Sequence, residues 1–265
     1  MRDETVINPG HPDRLRLLQL TDPHILSDPA SRFDGMDTAA ALDAVLAAVN
    51  ALEEVPDAVL MTGDLVHEPE PAAYERLAER LRVLKAPVFC LPGNHDDPDM
   101  MHQRLNRDGI STCKVVTAGG WRLLLLDTWA PGTHAGRLSP AELDFLREQL
   151  AAAHGRRVLV ALHHPPVSID SPWMDAMGLA NPRDLFAVID ACPAVRGVVW
   201  GHIHQEFYRR RGEVQLFGTP STCVQFLPGA DRYVRDTRPP GFRELVLNAD
   251  GSLESRVRRC PEAML

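Results

Sequence analysis

Short apolar runs alternate with longer stretches of helical spacing along most of the chain. Leu15–Leu20 reads as a buried strand. Thr38–Leu52 follows with Leu42, Val45, Leu46 and Val49 at helical spacing and Thr38 placed to cap it. Ala58–Met61 and Pro87–Leu91 read as two more buried strands, separated by a helix over Ala72–Leu84; a short helix is expected over Met100–Arg107. Ser111–Thr117 and Trp121–Asp127 then flank Ala118-Gly119-Gly120 as the arms of a hairpin. Ser139, Pro140 and Glu142 stand in the order of an N-cap, a first-turn proline and a capping-box acid, which starts a helix running to Ala153. Val158–Leu162, Val195–Trp200 and Val214–Phe217 are further strands, and Phe242–Leu247 with Ser252–Val257 closes the chain as a hairpin across Asn248–Gly251. The pattern predicts an α/β fold of two packed sheets with helices outside. No repeat or Pro/Gly/Ser-rich linker divides it, so one domain over residues 1–265 is expected.

Polar motifs recur at one kind of place, where an apolar strand ends. Asp22 and His24 follow Leu15–Leu20, and Gly63-Asp64 follows Ala58–Met61. Gly93-Asn94-His95-Asp96 follows Pro87–Leu91, His163-His164-Pro165-Pro166 follows Val158–Leu162, and Gly201-His202-Ile203-His204 follows Val195–Trp200. Imidazole and carboxylate suit manganese, iron and zinc. In Asp22-Pro23-His24 and His202-Ile203-His204 the donors are two residues apart, and on extended backbone both would point the same way. Gly63, Gly93 and Gly201 allow tight turns and close backbone approach. Each motif alone has a plainer reading as turn chemistry or a strand end. Their shared placement points to one metal site assembled by loops.

Charge and cysteine content narrow the partners. A net charge of −8 disfavours a nucleic-acid polymer, which demands clustered Lys and Arg, but leaves a small phosphate substrate open because a metal can supply positive charge locally. No segment approaches the apolar length of a membrane span, and the polar start to Arg14 does not read as a secretory leader. Five cysteines, an odd number without a CxxC pair, argue against a disulfide framework. The expected compartment is the cytoplasm.

The series DxH, GD, GNHD, H and GHxH from Asp22 to His204 resembles that of the calcineurin-like metallophosphoesterase superfamily. Leu91–Asp96 (LPGNHD), Gly201–Glu206 (GHIHQE), Pro220–Phe226 (PSTCVQF) and Pro240–Leu253 are similar to bacterial class III 3′,5′-cyclic AMP phosphodiesterases of the Icc/CpdA type. The resemblance implies a four-layer αββα sandwich of two mixed sheets. It implies two divalent or trivalent ions, iron or manganese with zinc as the alternative. One ion would take Asp22, His24 and His204, the other Asn94, His163 and His202, with Asp64 bridging. His95 would act at the leaving oxygen, and Asn94, His95 and His204 would also meet the substrate. The implied reaction is hydrolysis of a cyclic phosphodiester, 3′,5′-cyclic AMP to 5′-AMP, by a hydroxide bridging the metals. The alternatives are 2′,3′-cyclic nucleotides, glycerophosphodiesters, or a non-catalytic scaffold of the same fold.

Other residues are read more plainly. His164 is expected to support its neighbours or cap a helix, and His67 and Glu68 to belong to a solvated loop. Phe226 and Trp173 could stack a base but read first as core, and Cys223 as a small buried hydrophobe. Arg209-Arg210-Arg211 reads as a solvated hairpin end. Pro228–Pro239 is open between a flap, a homodimer contact and surface loop.

Overall fold

The computed structural model describes residues 4–260; residues 1–3 and 261–265 of the expected domain lie outside the described residues. In chain order the elements are β1 (Glu4–Ile7), β2 (Arg14–Leu20), α1 (Thr38–Asn50), β3 (Ala58–Thr62), α2 (Pro71–Leu81), β4 (Val88–Leu91), α3 (Pro98–Leu105) and β5 (Ile110–Ser111). Next come β6 (Val115–Ala118), β7 (Trp121–Leu125), α4 (Pro140–Ala151), β8 (Arg157–Ala161), α5 (Pro172–Asp175), α6 (Pro182–Ile189) and β9 (Val195–Trp200). β10 (Phe207–Arg211), β11 (Val214–Gly218), the short pair β12 (Gln225–Phe226) and β13 (Arg235–Asp236), and the hairpin β14 (Gly241–Asn248) and β15 (Leu253–Arg259) complete them.

One sheet has the order β15-β14-β2-β3-β4-β5 and the other β1-β6-β7-β8-β9-β11-β10. Both are mixed: β2, β3 and β4 run parallel beside antiparallel β14, and β7, β8, β9 and β11 run parallel between antiparallel β6 and β10. Successive side chains leave a strand on opposite faces, so each apolar run fills two layers at once. Leu15, Leu17, Leu60 and Phe89 meet Trp121, Leu123, Leu159 and Val199 between the sheets. Leu18, Leu20, Val59 and Met61 turn instead to Leu42, Leu46 and Leu77 of α1 and α2. Val158, Val160 and Leu162 turn to Leu146 of α4 and Leu185 of α6. The result is the αββα sandwich.

Several local expectations shift. Asp37, not Thr38, caps α1 by accepting from Ala40 N at 3.0 Å, while Thr38 Oγ1 donates to His24 O. Ser139 does cap α4, accepting from Glu142 N at 3.1 Å. The Glu142 carboxylate does not close the box, because it accepts from Lys114 Nζ at 2.6 Å and Asp127 N at 2.9 Å. Ile110–Ser111 pairs with β4 in the opposite sheet and is no part of the β6–β7 hairpin. The edge strands β1 and β10 had no buried run to reveal them, and α6 is too short to show a clear period.

A buried polar chain ties the sheets beneath the loops. Gln19 Nε2 donates to Thr62 Oγ1 at 2.9 Å and to Trp200 O at 3.1 Å, while its Oε1 accepts from Thr219 Oγ1 at 2.6 Å. Arg243 continues it through Thr219 Oγ1 and Gly218 O. Burial pulls the Arg243 guanidinium down to about 10, so it stays charged at neutral pH.

Two stability effects are expected. Leu60→Ala, at the centre of the inter-sheet layer, should cost about 2–5 kcal/mol in urea unfolding. Asp127 is pushed up to about 6, first by burial and then by Glu142, against the hydrogen bond from Trp129 N. A carboxyl raised in the folded state makes that state bind more protons than the unfolded chain, so its contribution to stability falls as pH rises from about 4 to about 6. Asp127→Asn should therefore raise the melting temperature at pH 7.5 and leave it nearly unchanged at pH 4, by differential scanning fluorimetry.

Candidate metal centre

The loops after β2, β3, β4, β8 and β9 meet at one edge of the sandwich. Asp22, His24, Asp64, His202 and His204 have φ values of 52°, 45°, 47°, 66° and 48°. Extended backbone therefore does not align the DxH and HxH pairs, as alternation alone had suggested. Each donor sits in a left-handed turn just past its strand, a conformation costly for non-glycine residues. Hydrogen bonds hold the strained turns against one another. Asp22 N donates to Gly63 O at 3.0 Å, His24 N to Asp64 O at 3.1 Å, and His202 N to both Asp22 carboxylate oxygens at 3.1 Å. Glycine is required where the GD and GNHD loops cross, because a Cβ on Gly93 would lie 2.2 Å from Asp64 N and 2.3 Å from its Oδ1.

Asp96 locks the same crossing. Its carboxylate accepts from Gly93 N at 2.8 Å, Leu65 N at 3.0 Å and Tyr74 Oη at 3.1 Å. Burial, with Asp64 nearby, pushes it up to about 7.

The donor atoms converge. His163 Nδ1 donates to Thr62 O at 2.8 Å and His204 Nδ1 to Val224 O at 2.7 Å. A carbonyl only accepts, so both rings turn an Nε2 lone pair inward. His163 Nε2 then faces Asp64 Oδ1 at 3.3 Å and Asn94 Oδ1 at 3.2 Å. His204 Nε2 faces Asp22 Oδ1 at 3.3 Å and His24 Nε2 at 3.2 Å, and His24 Nε2 lies 3.6 Å from Asp64 Oδ2. His202 Nε2 is buried without a hydrogen-bond partner. Lone pairs and carboxylates packed this closely repel unless a cation or proton lies among them. The donor set therefore fits two metal ions, with Asp64 between the groups around His24 and His163 and within reach of both.

Charge on the donors agrees. Burial holds His24 and His202 well below the usual imidazole range, so both are neutral and able to ligate. Burial also pulls His163 down, but the Asp64 carboxylate outweighs it and lifts the ring to about 9. A proton shared by that pair stands where a cation would, and metal uptake displaces it.

Neighbouring residues divide into those that support the centre and those that only fill space. Both His164 ring nitrogens are engaged, one with Thr128 Oγ1 at 2.7 Å and one with His134 O at 3.1 Å, so it braces a loop. His67 is not on a solvated loop: its Nδ1 lies 3.4 Å from His24 Nδ1 and its ring stacks on His95 at 5.0 Å. Glu68 beside it is exposed. Cys223 is fully buried with Sγ 3.2 Å from Asp22 O, and burial raises its thiol to about 12. Phe226 lies flat on His204, with ring centroids 4.0 Å apart and planes 4° from parallel. Arg209–Arg211 fall on β10, an exposed edge strand that turns at Gly212. Pro228–Pro239 packs on its own chain, where Tyr233 Oη donates to Asp34 Oδ2 at 2.5 Å and Arg235 Nη1 to Asp34 O at 2.6 Å. His134, whose Nδ1 is 3.2 Å from Asn94 Nδ2, carried no signal because it follows no strand and no motif.

His95 lies at the mouth. Its backbone N donates to Asp64 Oδ1 at 2.9 Å and its Nδ1 to His67 O at 2.7 Å, which leaves Nε2 free. A cleft lined by His24, Asp64, Asn94, His95, His202 and His204 opens in front of the donors.

A buried cluster of Asp, His and Asn on loops at the edge of an αββα sandwich defines a class of metal-dependent phosphoester hydrolases. The chain belongs to the calcineurin-like phosphoesterase family, whose model matches residues 15–206. It is 40% identical to the 3′,5′-cyclic adenosine monophosphate phosphodiesterase CpdA of Pseudomonas aeruginosa, over 94% of this chain and 91% of that protein. It is 39% identical to the protein of the same name in Escherichia coli K12, over 93% and 90%, and 38% identical to a 3′,5′-cyclic-nucleotide phosphodiesterase of Nostoc, over 94% of each. In fold it is similar to a dimetal phosphatase from Danio rerio, with a TM-score of 0.60 and 14% identity over 93% of this chain and 99% of that one. Among the described residues no helix is long and apolar enough to cross a membrane.

Gly93→Ala should push Asp64 off its position and lower bound metal well below that of the wild type, while the far-ultraviolet circular dichroism stays native. Metal analysis of the purified proteins by inductively coupled plasma mass spectrometry checks it.

Proposed function

We propose that this chain hydrolyses 3′,5′-cyclic AMP to 5′-AMP in the cytoplasm, using two ions of iron or manganese. The convergence of donors in one buried cluster carries the hydrolytic part of this reading. The likeness to cyclic nucleotide phosphodiesterases over more than nine-tenths of the chain supports the substrate. The five cysteines, placed without a CxxC pair, suit a reducing compartment.

Asp22, His24 and His204 would hold one ion, Asn94, His163 and His202 the other, with Asp64 shared. When bound, such ions polarise phosphoryl oxygens and lower the pKa of a water held between them. The protein's own groups do the rest. The Thr62 and Val224 carbonyls fix the His163 and His204 rings with Nε2 inward. The His95 backbone N–H orients Asp64. As water oxygen bonds to phosphorus and the P–O3′ bond breaks, the departing 3′ oxygen takes a proton from His95 Nε2. His67 O keeps the proton on Nδ1, so the second proton of the ring is the one released. The water's proton passes to solvent, and His95 is protonated again for the next turnover.

The test is a side-by-side assay of manganese-loaded protein with 3′,5′-cyclic AMP, 2′,3′-cyclic AMP and bis(p-nitrophenyl) phosphate. Preferred turnover of the first, abolished in Asp64→Ala, is expected. Turnover of only the artificial diester would sink the cyclic AMP assignment. His95→Gln should keep its metal and lose about 10²–10⁴-fold in kcat. A scaffold without catalysis would show no turnover in any of the three.

A further inference from the structure

The cleft has two unlike walls. One is the donor set. The other is Phe33, Trp173, Met174, Met177 and Phe226, and among the described residues lining the cleft that wall carries no carboxylate, amide or hydroxyl side chain. Phe226 has one face taken by His204, so it supports its neighbours more than it receives a ligand. Trp173 is only partly buried; Phe226 meets it edge-on at 5.3 Å and Tyr233 at 5.8 Å. Its Nε1 is buried without a hydrogen-bond partner. The wall is drawn from three separate stretches of chain and is held together across them. Tyr233 and Arg235 grip Asp34, and Phe33 precedes Asp34 on the same loop. Apolar surface kept open beside a cluster of charged donors marks a ligand subsite rather than leftover core.

We propose that Trp173, backed by Phe226 and Tyr233, is the platform that takes the purine base, and that it makes the site prefer cyclic nucleotides to base-free diesters without telling adenine from guanine. This rests on reading the site as a cyclic nucleotide hydrolase. Stacking on an aromatic ring accepts any base, because every base has a π face. Reading a base edge needs hydrogen-bonding groups set against its exocyclic atoms. The wall offers no side-chain oxygen, and its one N–H, the Trp173 Nε1, is buried away from the open surface. The ions and His95 would meet the phosphate at one end of the cleft while the base lies on the indole at the other.

The test compares 3′,5′-cyclic AMP, 3′,5′-cyclic GMP and the base-free 3′,5′-cyclic phosphate of ribose on manganese-loaded wild type, Trp173→Ala and Trp173→Phe. Binding of 5′-AMP followed by quenching of tryptophan fluorescence in the wild type gives a readout apart from turnover. In the wild type the KM values for the two nucleotides should agree within about threefold, and both should lie well below that of the base-free compound. Trp173→Ala should raise KM for both nucleotides by about tenfold with a smaller change in kcat, and Trp173→Phe should recover most of the loss. The ratio of kcat/KM between nucleotide and base-free substrate should fall with the indole. Should Trp173→Ala weaken the base-free substrate as much as the nucleotides, the residue is structural and the proposal fails. A tenfold preference of the wild type for one purine would overturn its indifference to base edges. Wild type that cleaves the base-free phosphate but neither nucleotide would sink the cyclic nucleotide reading itself, before any variant is compared.

Discussion

Repulsion among buried donors is the condition around which this protein is arranged. Two aspartates and three histidines point carboxylates and imidazole lone pairs at one another across 3.2–3.6 Å at one edge of the sandwich. The backbone N–H groups of His202 and His95 offset only part of that charge. The cost is tolerable only if cations or protons share the site, and the elevated pKa of His163 beside Asp64 expresses that demand in protonic form. The electrostatics of the donors and their capacity for metal are one property.

Holding such a cluster takes rigidity elsewhere. Five donors occupy left-handed backbone that each would abandon if released. Loop-to-loop hydrogen bonds, the Asp96 carboxylate at the crossing of the GD and GNHD loops, and the Gln19–Thr219–Arg243 chain beneath them keep the turns in place. Those supports stand on two sheets packed through Leu60, Phe89, Leu123 and Leu159. Packing between the sheets is therefore felt at the metal centre, because the donors are divided between them: Asp22, His24, Asp64 and Asn94 come from one sheet, and His163, His202 and His204 from the other.

The mouth of the site works by different physics. His95 has its Nδ1–H fixed on the His67 carbonyl, which leaves Nε2 free for a ligand. Phe33, Trp173 and Phe226 line the same cleft and give it apolar surface. Phe226 serves both sides, as the surface on which His204 rests and as the backing of Trp173.

The sequence by itself determined the αββα architecture, since buried strands announce themselves by continuous apolar runs and helices by their 3.6-residue period. It also pointed to the strand-end motifs that the structure brings together, because polar residues of ligating type recur where nothing in a core would ask for them. It missed β1, β10 and α6, which are exposed or short and leave little periodic trace. It gave the wrong reason for the convergence of Asp22 with His24 and of His202 with His204, which follows from left-handed turns that spacing does not encode. Tertiary structure alone supplied the carbonyls of Thr62 and Val224, the approach of His67 and His134, and the aromatic wall. Backbone acceptors have no residue identity to read. The pairing of Asp34 with Tyr233 joins positions 199 residues apart, a contact that exists only once the sheets have packed and brought their loops to the same edge.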